Sequence, residues 1–169
     1  MALIGQPKEY RDRQVDLSLM GGFRPGRRVP VDLHLVTATD NGSLIAGVQK
    51  LAQRFLLELL TEVGSIRHLP GRGCRFMVEG RHGRWRTPAD VSSSFYASLL
   101  DVRRNLLREE TGSEPPDERF DRAVLESVFL ARDRVALRIR VISQAGTDLQ
   151  LIYPIRHTVV DLRPSERNL

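Results

Sequence analysis

The residues able to do chemistry fall into a few groups, and each has a plain structural reading beside the chemical one. Glu109-Glu110, Glu114 and Asp117-Glu118 form an acidic cluster. Paired carboxylates about 5–10 Å apart in a cleft can act as acid and base in hydrolysis. These acids fall at a helix end and in a proline loop, so they are read as a solvated junction or partner contact. The four histidines, His34, His68, His82 and His157, lack H-x-x-x-H or H-E-x-x-H spacing. A zinc site needs about three or four convergent ligands, so no metal is expected. Pro70-Gly-Arg-Gly-Cys74 is glycine-rich but lacks the Gly-Lys-Ser/Thr of a phosphate loop and is read as a structural turn. Cys74, the single cysteine, has arginine neighbours that could activate a thiol, but no His/Asn arrangement marks it as a nucleophile. Ser92-Ser93-Ser94 lies in a helix without a G-x-S-x-G elbow. No catalytic group and no cofactor are assigned, and the chain is read as a non-enzyme.

Arg81-His-Gly-Arg-Trp-Arg86 sets three arginines around one tryptophan, a pattern suited to phosphate contact with base stacking. Its alternative is a hairpin whose Trp85 packs inward or into a protein partner, where Trp and Arg are enriched anchors. The charge balance bears on the choice. The net charge is +5 and the pI about 10.1, with 24 Arg and 2 Lys among the basic residues. The arginines are spread along nearly every segment and interleaved with 21 acids. That distribution suits arginine's planar fork at protein interfaces better than one basic nucleic-acid face. A basic nucleic-acid-binding accessory protein remains the alternative function.

The elements that must position these groups follow from periodicity. Residues 1–28 are polar and glycine-containing and are read as an extended arm. Val29, Val31, Leu33 and Leu35 alternate, which predicts a half-buried strand over 29–36. Leu44, Val48, Leu51, Phe55 and Leu59 recur at helical period, with Lys50, Arg54 and Glu58 on the opposite wet face. Asn41 or Ser43 is the expected cap of that helix, and Gly64 its stop. Residues 75–86 read as a short hairpin. Thr87, Pro88 and Asp90 open a second helix whose buried stripe is Val91, Phe95, Leu99, Val102 and Leu106. Three strands are predicted over 123–131, 135–142 and 148–155, with a fourth run at 157–162. The fold class is α+β: a mainly antiparallel sheet with two principal helices on one face. Residues 29–162 are one domain, preceded by the arm and followed by a tail over 163–169. The longest nearly apolar run, 55–60, is interrupted by Glu58 and too short to span a bilayer. The N-terminus lacks the order of a signal peptide, so manufacture and use on the cytoplasmic side are expected.

The run Leu59-Leu-Thr-Glu-Val-Gly-Ser-Ile-Arg-His-Leu-Pro-Gly-Arg-Gly73 resembles the L-L-T-x-x-G and P-x-x-G segment of the sheath-initiator (baseplate wedge) family of contractile phage tails, also found in type VI secretion and tail-like particles. Thr61, Gly64, Pro70 and Gly73 stand at the matching positions, and the resemblance covers about residues 29–156. The family's Glu-Pro-Arg motif is not reproduced: here Glu114-Pro115 is followed by Pro116, then by Glu118-Arg119-Phe120. The resemblance implies a structural role in the virion tail baseplate, after assembly in the host cytoplasm. It implies six copies around the tail axis, beside the tail tube, with the tail sheath protein and the baseplate wedge proteins as partners. Neither membrane nor nucleic acid is an expected partner. Glu114, Pro115, Glu118, Arg119 and Phe120 are the candidate wedge contacts, with charge reversal at Glu118 and Arg119 expected to leave the isolated fold intact. Arg138, Arg140, Gln150 and Tyr153 are the candidate sheath contacts, on a hairpin whose open edge accepts a strand.

Overall fold

The computed structural model describes residues 14, 16–17, 19–21, 32–33, 44–131 and 134–156. Its elements run β1 (Asp16–Leu17), β2 (Met20–Gly21), β3 (Asp32–Leu33), β4 (Leu44–Ile45), α1 (Val48–Leu60), α2 (Phe76–Arg81), α3 (Pro88–Glu109), β5 (Phe120–Leu130), β6 (Arg134–Ser143) and β7 (Asp148–Arg156). The architecture is α+β. An antiparallel sheet in the order β5-β6-β7 carries α1 and α3 on one face.

Alternation builds that sheet. Val135, Leu137, Ile139 and Val141 of β6 point one way and are fully buried. Opposite them stand Leu130, Val128, Leu125 and Ala123 on β5 and Ile155, Tyr153, Leu151 and Leu149 on β7. The helices lay their stripes over this face: Leu51, Phe55 and Leu59 from α1, and Val91, Phe95, Val102 and Leu106 from α3. Phe55 stacks on Phe120 with ring centroids 5.8 Å apart, joining helix to sheet. Each such side chain contributes roughly 1.5–3 kcal/mol by leaving water. α3 opens as its sequence dictates: Thr87 and Asp90 form a reciprocal capping box with Pro88 in the first turn. The run at 157–162 and most of the expected strand at 29–36 lie outside the described residues.

Three readings need correction. The first helix starts at Val48, not Leu44. Leu44–Ile45 is a strand paired antiparallel with Asp16–Leu17, so the helical spacing of Leu44 is coincidental and neither Asn41 nor Ser43 is the cap. Gly47 takes that position at φ 60 without a side-chain cap bond. Part of the arm therefore belongs to the folded body. Gln53, 1% exposed on α1, accepts the Leu19 N–H and donates to the Leu17 carbonyl, and Lys50 donates to the Gln14 carbonyl. The 75–86 hairpin is instead the short helix α2. Phe76 and Trp85 are buried together with ring centroids 4.6 Å apart. Gly80 makes this possible, because a Cβ there would lie 2.7 Å from the indole. Finally, Glu58 is not on a wet face: it is 1% exposed.

Candidate assembly interface

The turn carrying Thr61, Gly64, Pro70 and Gly73 is organised by Glu58. Its carboxylate accepts the Gly73 N–H and the Asn105 side-chain amide, each at 3.1 Å, and pairs with Arg72. Arg72 reaches on to Glu109 at 2.6 Å, and Asn105 also donates to the Gly73 carbonyl. Cys74 N–H donates to the Thr61 carbonyl at 2.9 Å, closing the loop. Gly73, at φ 82, has no room for a side chain: a Cβ would sit 2.3 Å from the Thr61 oxygen. Gly64, at φ 83, serves differently, as the third residue of a turn closed from Ser65 N–H to the Glu62 carbonyl. It lies beyond the helix end and is not its direct stop, since Thr61 caps α1. Burial pushes the Cys74 thiol up to about 11, so the thiolate needed for nucleophilic chemistry is suppressed.

The junction from Glu110 to Phe120 spends its polar groups on itself. Hydrogen bonds from its own N–H, from Thr111 and from Gly112 hold the Glu114 carboxyl down at about 2. Arg119 donates to the carbonyls of Glu114 and Gly112. Glu110 accepts the Phe120 N–H at 2.7 Å. Pro115 is half-buried, its carbonyl accepting the Glu118 N–H. Glu118 is 1% exposed and crosses to the start of α1, where it accepts the Gly47 N–H at 3.1 Å and pairs with Lys50 at 2.9 Å. It accepts the N–H of the cap residue itself, as the N3 acid of a capping box does, and α1 has no acid of its own in its first turn. Two of the five expected wedge contacts, Glu118 and Phe120, are thus core residues. The expectation that charge reversal at Glu118 spares the fold is corrected: a cation there would be buried against Lys50. The carboxylates of the acidic cluster serve separate partners: Glu109 pairs with Arg54 and Arg72, Glu110 accepts the Phe120 N–H, Glu114 the Thr111 and Gly112 N–H groups, and Glu118 the Gly47 N–H. Among the described residues, no group of three or more His, Cys, Asp and Glu is placed to hold a metal, and no helix is long and apolar enough to cross a membrane.

On the sheet's outer face, Arg140 and Gln150 are cross-strand partners, with Arg138 and Ile152 as the next pair. Glu126, the extra residue of a bulge between Leu125 and Ser127, reaches across to both. Its carboxylate accepts from Arg140 Nε at 2.6 Å and from Gln150, so Arg140 holds it below the usual carboxylate range. Tyr153 is not with them: it pairs with Leu137 on the core face and packs against the core. Val124 and Phe129, the latter 66% exposed, complete the outer face. Trp85 is 5% exposed within the core and offers no face for a nucleic-acid base. Arg81 pairs with Glu62, and Arg84 pairs with Glu79.

The outer edge of β7 follows from register. Ser143 N–H donates to the Thr147 carbonyl at 2.9 Å, so that pair carries ladder bonds. Bonded and non-bonded pairs alternate in an antiparallel ladder. The unbroken register to Arg134↔Arg156 then turns the N–H and C=O of Asp148, Gln150 and Ile152 away from β6. Pro154 falls at the next outward position, where its missing N–H leaves the β6 ladder intact. Among the described residues, no strand pairs with this edge.

No family model matches the chain, and no curated protein matches it. Among solved structures it is similar to one described as a "putative tail lysozyme" from Geobacter sulfurreducens, at 17% identity and a TM-score of 0.38, over 76% of this chain and 99% of that one.

Proposed function

We propose that this protein is a structural component of a contractile-tail baseplate that joins the wedge proteins and templates the first sheath ring by strand addition to β7. The observation that carries the reading is the outward backbone of Asp148, Gln150 and Ile152, three consecutive donor–acceptor positions bounded by Pro154. An added strand gains main-chain hydrogen bonds there, while Arg138, Arg140 and Gln150 beside the edge select its side chains. Pro154 limits the pairing to about five residues and guards the remainder against indiscriminate aggregation. The compact 61–74 turn, whose residues resemble the family segment, supports the same reading.

The test is Ile152→Pro. It removes an outward N–H that the β6 ladder does not use, so the isolated chain should keep its circular dichroism spectrum. Co-expressed with the sheath and wedge proteins of its own system, the variant should fail to nucleate sheath in negative-stain micrographs. Sheath rings growing on it as on the wild type would overturn the reading. Leu151→Pro, which breaks the β6–β7 ladder itself, marks the outcome of simple misfolding.

A further inference from the structure

α3 has two apolar faces, and only one of them is used by the fold. Val91, Phe95, Val102 and Leu106 face the core. On a second face, about 120° round the helix at 100° per residue, Tyr96, Leu100 and Leu107 are 47%, 73% and 42% exposed. With Arg103 they recur at steps of four, three and four residues. At about 100° per residue these positions fall within an arc of roughly 60°. That is the narrow seam of a helix which pairs with another helix, not the scattered apolar residues of an ordinary surface. α1, α2 and β5 are the elements that pack on α3, and the seam residues stay exposed beside them.

Charge says what kind of helix fits. Arg103 lies in the seam, while Arg104 and Arg108 flank it. Asp101 matches Arg104 at 2.7 Å, and among the described residues Arg103 and Arg108 have no carboxylate partner. A second copy laid antiparallel on the same seam would bring the Arg103 of both chains near its centre, so like charge opposes self-pairing. We propose that this face docks one acidic amphipathic helix of a partner polypeptide. The partner's apolar residues cover Tyr96, Leu100 and Leu107, and a carboxylate faces Arg103. A lone charge in an apolar seam fixes register, since only one alignment pairs it.

The inference stands on α3 alone and does not need strand addition at β7. Its test uses the full chain and two fluorescent synthetic helices with leucines at four-three-four spacing, one flanked by glutamates and its twin by lysines. Anisotropy should show the glutamate helix binding at least tenfold tighter than the lysine helix. Leu100→Asp should weaken it at least tenfold, and Leu100→Gln should do the same if the aspartate variant misfolds. Arg103→Glu should invert the preference between the twins. Ile152→Pro should bind as the wild type does, which separates this surface from the β7 edge. Equal binding of both twins, no binding, or insensitivity to Leu100 substitution would overturn the proposal. So would a concentration-dependent dimer in sedimentation that Leu100→Asp abolishes, since the occupant would then be a second copy.

Discussion

Removing the Glu118 carboxylate should unfold much of what holds the junction to α1. In Glu118→Ala the Gly47 N–H loses its acceptor, and an unsatisfied buried donor costs about 1–3 kcal/mol. Lys50 loses its partner as well, and breaking a buried pair costs about 3–5 kcal/mol. The second figure falls toward its lower end, because Lys50 is 13% exposed and keeps the Gln14 carbonyl at 3.0 Å. A total loss of about 4 kcal/mol follows, out of the roughly 5–15 kcal/mol that holds a domain together. Glu118→Gln should lose about half as much, since an amide oxygen can still accept from Gly47. Urea unfolding of the full chain at pH 7 measures both, and a cycle with Lys50→Met isolates the ion pair. A loss below about 1 kcal/mol in Glu118→Ala would refute the assignment of Glu118 to the interior. It would return this residue to the set of candidate partner contacts.

The two glycines of the 61–74 turn should separate sharply under substitution. Gly73→Ala sets a Cβ against the Thr61 carbonyl at positive φ and should lose at least about 3 kcal/mol, whereas Gly64→Ala meets nothing within 4 Å and should lose about 1 kcal/mol, both read by urea unfolding. Glu114 makes stability depend on pH in the acid range. Its folded pKa of about 2 lies below the ordinary 4.5, so its contribution is fully present above about 4.5 and is lost as pH falls toward 2. Glu114→Gln should flatten the difference between unfolding midpoints measured at pH 6 and pH 3.

Much of the fold is legible because it is encoded locally. Thr87, Pro88 and Asp90 specify the start of α3 within one turn, and β6 alternates without interruption from Val135 to Val141. What escapes the sequence depends on contacts between distant segments. Leu44 satisfies a helical period, yet the backbone of Asp16–Leu17 draws it into a strand. The 75–86 stretch has the aromatic and β-branched content of a hairpin, but Gly80 lets Trp85 close over Phe76, and helix results. Glu58 and Glu118 resemble solvated acids because carboxylates rarely enter a core unpaired. Their partners stand 15 and 71 residues away, at Gly73 and Gly47. The one local trace of Glu118's role is the first turn of α1, which has no acid of its own to accept the Gly47 N–H. Within the candidate site, the Arg140–Gln150 face follows from alternation. Glu126 joins it only because a bulge turns it outward.

The same contacts bear on how a baseplate part could work. Gln144 and Ala145 in the β6–β7 turn donate to the carbonyls of Arg119 and Pro116. Arg119 is tied to the end of α3 through Gly112, and Glu118 to the start of α1. One hydrogen-bonded junction therefore fixes the sheet's hairpin relative to both helices. A strand added at β7 and a helix seated on Tyr96, Leu100 and Leu107 would be held at a set separation by it. Flexibility at residues 110–119 would remove that geometry even with both surfaces intact. Substitutions there would then impair joining and templating together, which is the behaviour of a strut and not of a contact.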